Sequence, residues 1–141
     1  MRLNHLALTV NKLNNLLIFE SMRNIGLLIL RAGLSLSMLS HGWWKFLKLI
    51  NGNFAFADPI GIGESASLVL TVFAEFTCSI LVIIGFKTRL AAIPLAMTMF
   101  VAAFVVHFND PWGKKELAVI YMIGFTSIAL LGPGKHSYDK K

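Results

Sequence analysis

The sequence predicts an all-α integral membrane protein, an antiparallel four-helix bundle, and three observations carry that expectation. Of 141 residues, 56% are hydrophobic and 14% charged, whereas soluble domains carry closer to about 25% charged residues. Several apolar segments reach the roughly 20 residues that a helix needs to cross a hydrocarbon core about 30 Å thick. Lys and Arg gather on one side of the topology these segments imply. The composition argues against a water-soluble enzyme, and against a disordered or collagen-like chain. The net charge of +6 forms no patch, because the basic residues sit between apolar runs. The expected partner is therefore the lipid bilayer rather than nucleic acid.

Residues 1–22 precede the first span. Leu3, Leu6, Val10, Leu13 and Leu17 recur at helical spacing, which suits a helix lying on the inner membrane surface. The alternative is a start at Met22, making the segment an artefact of start-site choice. Asn11, Lys12, Asn14 and Asn15 break any signal-peptide core. The spans are expected at about Ile25–Leu47, Ser65–Phe86, Leu90–Phe108 and Trp112–Leu131, each near the roughly 20 residues required. The last is the weakest, since Lys114, Lys115 and Glu116 occupy its first turns. In the Lys48–Glu64 connection, Phe54-Ala55-Phe56 suggests a segment lying against the membrane. Gly85 is expected to end the second helix and Thr88 to cap the third, with Arg89 following. Asp110 is expected as an N-cap before Pro111 at the first helical position. Gly132-Pro133-Gly134 stops the last helix. Arg2, Lys12, Arg23, Lys87, Arg89, Lys135, Lys140 and Lys141 fall on one side, against Lys45, Lys48, Lys114 and Lys115 on the other. Both termini are therefore expected to be cytoplasmic, in a multi-pass membrane protein.

Ionisable side chains within spans are expensive and usually face a partner or a water-filled cavity. On a wheel of about 100° per residue, Arg31, Ser35, His41, Gly42 and Lys45 share roughly a third of the first helix's circumference. Ser67, Thr71, Glu75, Cys78 and Ser79 do the same on the second helix. Ala92, Ala96, Met99, Ala103 and His107 make a small-residue stripe on the third, of the kind that lets membrane helices approach closely. Two expectations follow. Arg31 and Glu75 form a buried ion pair. His41, Lys45, Glu75 and His107 line a polar crevice open on the outer side, with a cationic mouth that attracts an anionic or carbonyl-bearing ligand. The competing readings are structural: a register-fixing pair, a Lys45 that snorkels to headgroups, and hydrogen-bonded core histidines. A bis-histidine haem site at His41 and His107 has no other support, and neither histidine has the second strong ligand a metal needs. Cys78 reads as a small hydrophobe.

The ordered set Leu30-Arg31, His41-Gly42-Trp43-Trp44-Lys45, Phe73-Ala74-Glu75, Gly85-Phe86-Lys87-Thr88-Arg89, His107-Phe108-Asn109-Asp110-Pro111 and Glu116 resembles the DoxX family of small bacterial membrane proteins. The tail from Gly132-Pro133-Gly134 to Ser137-Tyr138-Asp139 fits the same resemblance. It covers about Arg23 to Asp139, giving a domain at 23–139 between the extension and a two-residue tail at 140–141. The resemblance implies a four-helix membrane bundle. It also implies a redox-linked subunit of a membrane oxidoreductase assembly, since relatives include a subunit of an archaeal thiosulfate:quinone oxidoreductase. Quinone, thiosulfate or a small thiol would then be contacted in the crevice, with Glu75 relaying protons, a redox partner protein close by and an oligomer a further expectation. Without a Cys-x-x-Cys or a flavin or iron–sulfur motif, no autonomous catalytic apparatus is legible. The alternative is a non-enzymatic scaffold or small-molecule-binding bundle that recruits partner proteins.

Overall fold

The computed structural model describes residues 2–139, with side chains from residue 11 onward. The side chains of Arg2, Leu3, Leu6 and Val10, and the tail at Lys140 and Lys141, lie outside the described residues. The described chain is helical, with no strand among its residues. The first helix runs unbroken over Arg2–Ile50. The second begins at Glu64–Val72, passes through a π-helical stretch at Phe73–Cys78 and finishes at Ser79–Ile84. The third covers Thr88–Val101 and ends in a π-helical stretch at Ala102–Val106. The fourth is Trp112–Leu131.

Three of these are long and apolar enough to cross a membrane: Asn11–Ile50, Glu64–Ile84 and Thr88–Val106. Trp112–Leu131 is not among them, because Lys114, Lys115 and Glu116 fall in its first two turns. Apolar side chains form both the inside and the outside. Met38, Leu68, Val82, Leu95, Phe125 and Ile128 are buried, whereas Ile29, Leu36, Leu70, Ile93, Met97, Ile120 and Leu130 are exposed. An apolar exterior of this extent would be a liability in water, and lipid is its natural solvent. Residues 11–23 are exposed on every side, and burial in the first helix starts at Asn24.

Gly85 ends the second helix in the left-handed conformation (φ 76°), as a glycine at that position allows. The cap of the third helix differs from expectation. Lys87 occupies the N-cap position, and the cap oxygens come from Asp139. Its carboxylate accepts the backbone N–H groups of Lys87 and Thr88 at 2.8 Å each and the Thr88 hydroxyl at 3.0 Å. Thr88 is a donor here, not the cap. Asp110 is likewise no cap: Pro111 holds that position, and the Asp110 carboxylate turns to His107 and Lys114. A carboxylate already engaged by two cationic or ring donors has no call to bond backbone amides.

The chain after the fourth helix folds back over the end where the second and third helices join. Asn24 Oδ1 accepts the Lys135 N–H at 3.1 Å, and the N–H groups of Tyr138 and Asp139 reach the carbonyls of Ile84 and Gly85. Burial pushes the Asp139 carboxyl up, but the Thr88 and Lys87 N–H groups, the Thr88 hydroxyl and the Arg31 charge outweigh it and hold the group below its usual range.

Candidate functional site

The opposite end is built around Gly42 and Glu75. A Cβ on Gly42 would lie 2.6 Å from the Glu75 carbonyl carbon and 2.7 Å from its oxygen, so only glycine lets the first helix sit directly on the second here. Glu75 lies inside the π-helical stretch Phe73–Cys78. His107 directly follows the second such stretch, its N–H bonded to the Ala102 carbonyl five residues back at 3.0 Å. Such widened turns re-aim side chains and recur at functional sites. Both flank the same space.

Glu75 is almost fully buried, and Lys45 closes over it, with Nζ at 2.5 and 2.6 Å from the two carboxylate oxygens. The expected Arg31–Glu75 pair is therefore corrected. Arg31 Nη2 donates instead to the His136 carbonyl at 2.5 Å, and its head lies against Gly85. Side-chain direction explains the difference. Helical Cα–Cβ bonds tilt toward the N-terminus, so Arg31 points away from the Glu75 level while Lys45 points down onto it. Vertical separation alone does not show this.

His41, Lys45, Glu75 and His107 all line one cavity of about 210 Å³, shared with Tyr121 and Lys114. His107 Nδ1 lies 2.7 Å from Asp110 Oδ2, and Lys114 Nζ is 3.5 Å from the other carboxylate oxygen. The His107 hydrogen bond, helped by Lys114, holds the Asp110 carboxyl below its usual range. The mouth is not net cationic as expected: each of Lys45 and Lys114 faces a carboxylate. Among the described residues, no three His, Cys, Asp or Glu side chains gather as a metal would require. Gly85, Thr88 and Arg89 lie at the far end, where Arg89 packs beside Gly132.

Sequence reasoning missed Tyr121 and Ser37. The phenol is 2.5 Å from Ser37 Oγ, and its ring meets the His41 ring edge-on at 6.2 Å between centroids. Ser37 falls about 240° from Arg31 on a wheel of about 100° per residue, outside the polar stripe. A lone tyrosine in an apolar span was the only available signal. A larger groove of about 390 Å³ between the second and third helices holds Ser67, Thr71 and Thr98 but no titratable side chain.

Comparison with known proteins adds two findings. The family model described as DoxX matches residues 26–108. A protein of Haemophilus influenzae described as uncharacterized is 31% identical over 140 residues, covering 92% of this chain and 97% of its own. No solved structure matches.

Proposed function

The chain belongs to the DoxX family, and on that premise we propose that it is a redox-linked subunit of a membrane oxidoreductase assembly. Its four helices run antiparallel across the bacterial inner membrane, with both termini cytoplasmic, and its outer crevice takes the headgroup of a quinone. Thiosulfate and small thiols are the other ligands of the same reading. The supporting observation is the convergence of His41, Lys45, Glu75, His107 and Tyr121 on one cavity of about 210 Å³. Polar hydrogen-bonding groups around an otherwise apolar space suit a ligand with a carbonyl on a flat ring. A quinone would supply a two-electron carrier there, and the electrons come from a partner. The chain's own residues orient and protonate: imidazole and phenol groups donate to carbonyl oxygens, and Glu75 with Lys45 forms a proton-exchanging floor.

The scaffold reading rests on a different observation. Lys45 saturates both oxygens of Glu75, as a pair kept only for packing does. Thermal shifts of the detergent-extracted protein separate the two. A short-tailed quinone analogue or thiosulfate is expected to raise the melting temperature of the wild type and not that of His41→Ala or His107→Ala. No shift of the wild type with any compound leaves the scaffold reading standing.

A further inference from the structure

Polar atoms buried between the first and second helices have no protein partner among the described residues: Ser35 Oγ, Ser79 Oγ, and Nε and Nη1 of Arg31. Three hydroxyls on the second and fourth helices behave otherwise. Thr71, Thr126 and Ser127 each bond the carbonyl four residues earlier, at 2.7 to 2.8 Å. Ser35 and Ser79 are both 0% exposed and Arg31 is 2% exposed, so neither lipid nor bulk solvent reaches them.

Two close approaches set the register. Gly42 lies on Glu75, and Gly85 lies on the Arg31 guanidinium. At about 1.5 Å per residue, Ser35 and Ser79 then fall about 4 Å apart along the axis, between the Glu75 and Arg31 levels. Arg31 and Ser35 share a face at i and i+4, as do Glu75 and Ser79. A buried hydroxyl or guanidinium without a hydrogen bond is costly, and a buried water typically makes about three bonds to such groups.

We propose that a file of water molecules occupies this seam, bound by Ser79, Ser35 and the free nitrogens of Arg31 and running from the Glu75 level to the tail. The file gives the Glu75 carboxylate a hydrogen-bonded connection to the opposite end of the molecule. It stops at the Arg31 cation, which repels a hydrated proton. Nothing in it depends on what the crevice binds.

X-ray radiolysis in oxygen-labelled water tests it on the full chain, because radicals formed from bound water oxidise the side chains beside it. Cys78 adjoins Ser79, is 1% exposed and does not line the crevice. Its thiol is expected to take up label in the wild type, and several-fold less in Ser35→Ala/Ser79→Ala. The melting temperature of that double variant is expected to fall, because hydrogen bonds to water are lost. A dry seam gives the opposite sign, since removing unsatisfied hydroxyls stabilises. An unlabelled Cys78, labelling unchanged in the double variant, or a raised melting temperature each overturns the proposal.

Discussion

The two ends of the helical core solve the problem of buried charge differently. At the tail end, Asp139 and Asn24 are spent on backbone amides and Arg31 on a backbone carbonyl. At the crevice end, the partners are side chains: Lys45 with Glu75, His107 with Asp110, Ser37 with Tyr121. Bonds to backbone fix the course of the chain and leave little to move. Bonds between side chains can be exchanged for bonds to a ligand without disturbing a helix. The contrast puts fixed backbone partners at one end and exchangeable side-chain partners at the other.

Breaking the crevice pair should have the largest effect. Lys45→Met leaves the Glu75 carboxylate buried and unpaired, a defect of about 3–5 kcal/mol when pairs are fully buried. With 30% of the Lys45 side chain exposed, the lower part of that range is expected. Lys45→Met with Glu75→Gln should recover part of it in thermal denaturation. Simple additivity would show that the two groups do not interact.

At the tail end, Asp139→Ala removes a cap and should cost about 1 kcal/mol, as loss of an N-cap side chain does. Its pH dependence has a definite sign. The folded carboxyl lies below its ordinary value, so its contribution is present above the unfolded value of about 3.9 and lost as pH falls through the folded one. Wild-type stability should drop in that acid window and Asp139→Ala should drop less, as acid melting curves of both would show.

The smallest change sharpens the comparison most. Tyr121→Phe removes only the bond to Ser37 and should cost about 0.5–1.5 kcal/mol. Ligand-induced stabilisation should fall by more than the apo melting temperature does if the phenol also donates to the ligand. Equal losses would make Tyr121 purely structural.

Sequence periodicity placed the helices well because apolar run length and Gly–Pro punctuation are local properties. The fourth segment was read within Trp112–Leu131, and its helix has those bounds. Which residues gather at a cavity was also legible, since His41, Lys45 and Glu75 lie on stripes at helical period. Pairing was not. Arg31 and Lys45 both share a stripe facing Glu75, and only the tilt of their side chains decides between them. The Thr88 cap failed for a related reason. Asp139 acts on Thr88 from 51 residues away, and no local motif announces a partner that distant. The π-helical turns left no trace, because one extra residue per turn resembles ordinary drift in a hydrophobic pattern.

The distant cap has a consequence for the order in which the molecule is made. Thr88 leaves the ribosome 51 residues before Asp139, Asn24 111 residues before Lys135, and Arg31 105 residues before His136. At about 5–20 residues per second, the third helix waits several seconds for its cap. Throughout that interval the helices can enter the bilayer while the tail end stays open, with Arg31 lacking its carbonyl. The tail end therefore closes only after all four helices have been made, later than the Lys45–Glu75 pair at the other end.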